Sequence, residues 1–583
     1  MIEKVELLTS RDGYKIVNFT KDGATFSIGS RYSEKREIAE FLDSVGDIKK
    51  NENYIVFGMG GLNHIRELSH NKFGKSKILV IEFSRECVEL VTQDVDEDLA
   101  EMLGHQDLVV ASEIDAVRSF LKIYINSSNV RKLKVLAYSG YTRFFKEEIK
   151  PFNELIVEHC IEVRANKSTL NKFEDDWYRN SIKNLRYLNA TRTLFPYKNT
   201  CTGKPAIIVS AGPSLDKNIG LLKENRDAVV ISGGRTLKPL LNIGVDPDFL
   251  TIMDASRLSY ELVEPFIGLT TARLVYYFGV PTEMLAMHKG EKITYHEDTA
   301  LHQFLQEEMI NLMAGGSVAH AMTLLAVELG CDPIIFIGQD LAYTNQMEHS
   351  HSAASPWRND EVSLTPELES ASFYVDDVYG KKVKTCLQLD LYRRQLERII
   401  ESNKDRTFIN STEGGVSIKG SKVFALEEVY SQIPHGRSDV FLGGSMSKNL
   451  DSVGILRANR RHMVKGIDQY TKAVKICDKY ISLIEADAID FRVVHKELNS
   501  IEMRIRNNNK KILFVDSMIN KILDRIDAAE QYAVLKSDTE QESLLKNLMK
   551  SRYLYRRLSE KLRENVKIVE EEIMALRELS SRL

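Results

Sequence analysis

Lys204 to Leu215 reads KPAIIVSAGPSL. The run Ala206 to Ser210 is small and apolar and predicts a buried strand. The strand breaks at Ala211-Gly212-Pro213-Ser214, and a helical pattern resumes at Leu215. A strand that passes through a small-residue turn into a helix leaves unpaired backbone N–H groups at the helix N-terminus. Together with the helix dipole they attract an anion such as a nucleotide phosphate. Bulky side chains would hold a phosphate off the backbone, which is the physical case for Gly212 and Ser214. Taken alone, the stretch reads equally well as an ordinary strand-to-helix turn capped by Ser214.

The neighbouring segments repeat the pattern. Val229 to Ser232 predicts a second strand, ending at Gly233-Gly234-Arg235. Phe249 to Met253 predicts a third, ending at Asp254-Ala255-Ser256, and Leu274 to Phe278 a fourth, ending at Gly279-Val280-Pro281. Ile334 to Ile337 predicts a fifth, ending at Gly338-Gln339-Asp340. Short apolar strands alternating with helices imply a mostly parallel sheet covered on both faces, with ligands beyond the carboxyl ends of the strands. Small, charged and glycine residues gather at those ends.

With 583 residues the chain is too long for one hydrophobic core. Hydrophobic residues make up 43% and charged residues 28%, with a net charge of −4. That balance argues against a dedicated nucleic-acid binder, whose footprint is a basic excess. No apolar run reaches the roughly 18 residues of a membrane span, and MIEKVELLTSRDGYK has no signal-peptide core, so a cytoplasmic protein is expected. The six cysteines show no CxxC spacing and read as reduced core residues. No DxD pair ends a strand of the central region; Asp246-Pro247-Asp248 has the spacing but precedes the strand at Phe249. This favours a monophosphate-linked donor over a metal-held nucleotide diphosphate.

Four regions are expected: a Rossmann-like domain at 1–165, a helical linker at 166–203, a central α/β domain at 204–435 and a helical C-terminal domain at 436–583. In the first, strand Tyr54 to Phe57, the turn Gly58-Met59-Gly60-Gly61, a helix to Leu68, strand Ile78 to Phe83 and Glu82 follow the plan of a dinucleotide or S-adenosylmethionine site. GMGG is not GxGxxG, however, and the plainer reading is glycines that let helix and strand pack closely. In the last, no proline follows Pro434, and apolar residues recur at three- and four-residue steps, as at Ile512, Val515, Ile519, Ile522 and Ile526. This predicts long amphipathic helices that brace the central domain or dock a protein partner or a second subunit.

Ser210, Gly212, Pro213 and Ser214 form the first candidate anion turn. Gly316 and Ser317 open a helix at 318–329 and form a second, with capping by Ser317 as the alternative. Arg235, after Gly233, has the fork geometry for a phosphate or carboxylate. Asp254 and Asp340 end strands, where each either receives sugar hydroxyls or caps a local turn. His349 and His351 lie in a polar loop, and histidine titrates in the range needed to take a hydroxyl proton.

SAGPSLDKN (Ser210 to Asn218), AGGSVAHAMTLLAVELG (Ala314 to Gly330) and IGQDLAYT (Ile337 to Thr344) resemble the central domain of the motility-associated factor (Maf) flagellin glycosyltransferases. More remotely, the arrangement is similar to bacterial sialyltransferases that use CMP-sugars, with a Gly-Pro-Ser turn after the first strand and Gly-x-Asp after a later one. The resemblance implies a sialyltransferase-like central domain that moves a nonulosonic acid, of pseudaminic or legionaminic type, from a CMP-sugar to Ser or Thr of flagellin, a step in flagellum assembly and motility. It implies no metal or other cofactor, His351 ahead of His349 as base, and Thr385 and Glu413, in KVKT and STEGG, on the acceptor side. The rival readings are a pterin diphosphokinase-like pyrophosphoryl transferase, which would need Mg²⁺ and ATP, and a non-catalytic flagellin-binding export factor.

Overall fold

The structure, a computed structural model, describes residues 2–295, 302, 304, 308–312, 315–353, 372–436 and 450–582. It forms two compact units: Met1–Asn171 with His462–Glu564, and Lys172–Arg461 with Asn565–Leu583. The expected α/β class with mostly parallel sheets and a helical C-terminal region is found. The C-terminal helices are nevertheless not one separate body, since residues 462–564 join the first unit and 565–583 the second. Their amphipathic repeat announces a buried stripe but not what covers it.

In the first unit, β1 (Ile2–Thr9), β2 (Lys15–Lys21) and β3 (Ala24–Ile28) form an antiparallel meander. Strands β4 (Asn53–Phe57), β5 (Ile78–Ile81), β6 (Leu108–Ala111) and β7 (Leu133–Ala137) form a parallel sheet in the order β6-β5-β4-β7. β4 and β5 are buried along their whole length, as apolar runs in a sheet covered on both faces must be. Helix Val515–Asp527 buries Val515, Met518, Ile522 and Ile526. Met518 rather than Ile519 completes that stripe, so the expected set is off by one position there.

In the second unit, nine strands form one sheet: β8 (Thr191–Thr193), β9 (Ala206–Val209), β10 (Val229–Gly233), β11 (Phe249–Ile252), β12 (Arg273–Tyr277), β13 (Lys292–Tyr295), β14 (Ile334–Ile337), β17 (Phe408–Asn410) and β18 (Lys422–Val423). The order is β18-β17-β14-β9-β10-β11-β12-β13-β8, and every neighbouring pair is parallel. A hairpin of β15 (Ser372–Asp376) and β16 (Lys382–Cys386) stands apart.

Alternate residues of the central strands feed two cores. Ala206, Ile208, Ile231 and Phe336 pack with Ala321, Met322 and Leu325 of helix Val318–Glu328 on one face. Ile207, Val209, Val230 and Ile337 pack with Leu215, Leu240 and Tyr430 on the other. This is the period-2 consequence of a doubly covered sheet. Strands β8, β13, β17 and β18 extend the sheet beyond the five expected strands. β8 lies inside the expected linker and reads TRT, without the apolar run that would mark it.

Candidate functional site

From β9 the chain builds outward through β10 to β13, then returns to place β14 on the other side of β9. The order of strands therefore reverses between β9 and β14. In open α/β sheets the ligand crevice lies at such a point, beyond the carboxyl ends of the strands.

Ser210 and Asp340 stand at that point. The Ser210 N–H donates to Ile337 O at 3.0 Å, and Gly212 N–H to Gly338 O at 2.7 Å. Ser210 Oγ donates to Gln339 Oε1, and Gln339 N–H to Thr412 Oγ1 at 3.2 Å. A Cβ on Gly212 would sit 2.2 Å from Asp340 Oδ2 and 2.5 Å from Gly338 O, so only glycine fits. Ser214 donates its hydroxyl to Asp340 Oδ2 at 2.7 Å and its N–H to the same oxygen at 3.2 Å. Asp340 is buried; burial raises its pKa, and the Ser214 donors pull the other way.

These bonds change the expected part played by the first turn. Only one α-helical turn follows, Leu215–Asn218, succeeded by a 3₁₀ stretch at Ile219–Glu224. The Ser214 amide is engaged by Asp340, Pro213 has no N–H, and no long helix dipole begins here. The turn knots β9 to β14 rather than presenting a row of amides.

Longer helix N-termini meet beside it. Gly233 caps helix Gly234–Asn242, and Ser317 caps helix Val318–Glu328 by accepting from Ala319 N–H at 3.3 Å. A Cβ on Gly233 would lie 3.2 Å from Val318 Cγ1, so the two helix starts touch. Thr236 Oγ1 reaches Val209 O at 3.1 Å and accepts from Gly233 N–H at 3.2 Å, tying the start of helix Gly234–Asn242 to the end of β9. Gly316 lies against Tyr392, whose Cε1 would be 3.2 Å from an added Cβ. Ala314 of the second motif lies outside the described residues.

The histidine loop is held over the same edge. Ser350 N–H donates to Ala211 O at 2.9 Å. Asp216 accepts the backbone N–H of His351 at 2.8 Å and of Ser352 at 3.2 Å. Arg235 Nη1 reaches Ala353 O at 3.5 Å. His351 is thereby pinned through its backbone, with its side chain exposed, while His349 is half-buried. Residues 354–361 of the loop lie outside the described residues.

Three other expected positions serve local structure. Asp254 is exposed and accepts from Ser256 N–H at 2.8 Å, the turn-capping alternative. Thr385 is buried on β16 and donates to Leu341 O at 2.9 Å. Glu413 accepts Lys217 Nζ on its carbonyl at 2.7 Å, and its carboxylate lies 3.4 Å from Tyr379 OH. Sequence reasoning passed over Gln339, Asp216 and Thr236. Gln339 is the middle residue of the Gly-x-Asp already singled out, and Asp216 lies within SAGPSLDKN. Thr236 carried no separate signal.

In the first unit the corresponding crevice, beside β4, is filled. A Cβ on Gly58 would lie 2.9 Å from the Tyr141 ring, and one on Gly60 3.2 Å from the Tyr138 ring. Both tyrosines are buried. Glu82 accepts Met59 N–H at 3.3 Å, Ser84 N–H at 3.1 Å and Tyr141 OH at 3.0 Å; burial pushes its carboxyl up to about 7. The glycines of GMGG admit tyrosine rings, and the Glu82 carboxylate is engaged by Tyr141 OH.

The second unit is thus defined as a doubly wound parallel α/β unit whose strand order reverses between β9 and β14. Residues 179–346 match the family described as 6-hydroxymethylpterin diphosphokinase MptE-like. The solved structure of a Maf glycosyltransferase from Magnetospirillum magneticum AMB-1 superposes with a TM-score of 0.55 over 98% of this chain and 95% of that chain, at 15% identity. The fold is Maf-like along nearly the whole chain. Two uncharacterized proteins of Treponema pallidum (strain Nichols) are also similar. One is 34% identical over 128 residues, covering 22% of this chain and 60% of that protein. The other is 24% identical over 197 residues, covering 33% and 65%. The matches thus span less than two thirds of either protein's length. Among the described residues no helix is long and apolar enough to cross a membrane.

Proposed function

We propose that the chain is a glycosyltransferase that moves a nonulosonic acid of pseudaminic or legionaminic type from a CMP-sugar to Ser or Thr hydroxyls of flagellin. The observation that carries this reading is the meeting of two helix N-termini, at Gly233 and Ser317, beside the strand-order reversal, with Arg235 and the His351 loop on the same edge. Such a place suits a departing phosphate: amides, a hydroxyl and a guanidinium face developing negative charge. In the proposed step the bond from the anomeric carbon to the CMP oxygen breaks, and CMP leaves with that electron pair. The acceptor oxygen forms the new bond, and His351 takes its proton. Asp340 and Ser214 position this edge rather than touching the donor. No metal is required on this reading, and the protein works in the cytoplasm, where CMP-sugar and unexported flagellin meet. The helices beyond residue 436 are proposed as the surface that receives flagellin or a second copy of the chain.

The test is incubation of the purified chain with CMP-pseudaminic acid or CMP-legionaminic acid and flagellin, with EDTA present, followed by intact-mass measurement. Stepwise gain of one sugar mass per modified site supports the reading. Unmodified flagellin with both donors, in the presence of added Mg²⁺ as well, removes it.

The match of residues 179–346 to the MptE-like family favours a second reading, pyrophosphoryl transfer from ATP. Release of AMP from Mg²⁺-ATP in the presence of a hydroxymethylpterin would select it. Tight flagellin capture with neither turnover would select the export-factor reading.

A further inference from the structure

We propose that the first unit binds a small phosphate compound carrying two or more negative charges, in a cavity of about 530 Å³ at the amino ends of β4 and β7. This site lies at the strand ends opposite the tyrosine-filled crevice and is independent of the transferase reading. Its volume falls within the range of small-molecule sites, roughly 300–1,000 Å³.

The charge of the lining is the main argument. Lys49, Lys50, Arg131, Lys132, Lys134 and Lys550 face it, against the carboxylates Glu52, Asp527 and Glu530. The whole chain carries −4, so this local excess of cations runs against the composition. Asp527 is shared by Lys132 at 3.3 Å and Lys550 at 3.0 Å. Glu52 lies 3.3 Å from Lys134 and also accepts from Tyr54 OH at 3.0 Å and Lys49 N–H at 2.9 Å. Glu530 is 3.6 Å from Lys49. Lys50 and Arg131 have no ion pair among the described residues. Lys50 and Arg131 are exposed at the rim of this concave lining, where their unbalanced positive charge attracts an entering anion. The carboxyl end of helix Val515–Asp527 adds partial negative charge, which the two lysines on Asp527 offset.

The walls are built rather than incidental. Lys50 N–H donates to Val534 O at 2.9 Å, and Lys536 N–H to Ile48 O at 2.9 Å, fixing the loop before β4 against the segment that carries Tyr532. The half-buried Tyr532 ring lines the cavity and offers a face to a base or sugar.

The test is calorimetric titration of the full chain with inorganic pyrophosphate and with ADP, at low and high salt. The expected result is saturable binding of at least one probe that weakens with salt. In the double variant Lys50→Glu, Arg131→Glu it should weaken by at least about tenfold, the scale of losing charge-assisted contacts. Both residues are exposed, so the variant should keep the wild-type thermal midpoint, and Lys50→Arg should keep affinity. Tighter ADP binding assigns the site to a nucleotide, and tighter pyrophosphate binding to an inorganic anion. No saturable binding of either probe overturns the proposal. So does binding that survives the double reversal but disappears in Arg235→Ala, which would place the anion in the second unit.

Discussion

Ser214 donates its hydroxyl to the Asp340 carboxylate at 2.7 Å across 126 residues of sequence. This bond ties the ends of β9 and β14 together at the strand-order reversal. Gly212 makes it geometrically possible, because a methyl group there would collide with the same carboxylate oxygen.

Gly212→Ala should therefore destabilise the second unit by about 1–3 kcal/mol, the cost of forcing a side chain into a filled space. Urea unfolding followed by intrinsic fluorescence measures it. A wild-type midpoint would show that Asp340 does not sit against the turn. Ser214→Ala should be milder in packing but leaves a buried carboxylate short of its hydroxyl donor, a loss of about 1–3 kcal/mol.

His351→Ala should reduce transfer by about 10²–10⁴-fold, the usual contribution of a general base, while the thermal midpoint stays at the wild-type value. The histidine backbone is held by Asp216, so removing the ring leaves the loop anchored. Full transfer by a variant lacking both His349 and His351 would end this assignment.

Arg235→Ala should weaken CMP binding by about tenfold or more, on the scale of a charged hydrogen bond, with little effect on stability. Arg235→Lys should recover part of it, because the charge stays and the fork is lost. Equal CMP affinity in all three proteins would remove Arg235 from the site.

Glu82 predicts a pH dependence in the first unit. Its carboxyl titrates near 7 when buried, against an ordinary value of 4.5. Between these values the folded chain keeps a proton that the unfolded chain has released, so this residue makes stability fall as pH rises from about 5 to about 7. Glu82→Gln should remove that component, a difference on the order of 3 kcal/mol between pH 5 and pH 8 in urea unfolding. Parallel pH profiles for the two proteins would contradict it.

Much of this architecture is legible in the chain itself. AIIV, VVIS and IIFI are short apolar runs that fit strands buried on both faces, and the structure places a strand at each. Strand β8 was hidden because TRT earns its place by pairing with β13, not by hydrophobicity. The division of the C-terminal helices between two units was hidden for a related reason, since a 3.6-residue repeat names a face and not its partner. At the site, the residue types were readable but their engagements were not. Ser214 reads in the sequence as a phosphate ligand, and only the fold shows that Asp340, far along the chain, accepts from its amide and hydroxyl. Thr385 and Glu413 were carried in by resemblance, and in the fold they hold local structure. GMGG showed the converse: a nucleotide-like turn whose space two tyrosines occupy.

The most direct measurement of the central claim is calorimetric titration of the full chain with CMP in the presence of EDTA. The expected result is saturable CMP binding that persists in the double variant Lys50→Glu, Arg131→Glu and is weakened by Arg235→Ala. Absence of CMP binding, with ATP binding only when Mg²⁺ is supplied, would contradict it.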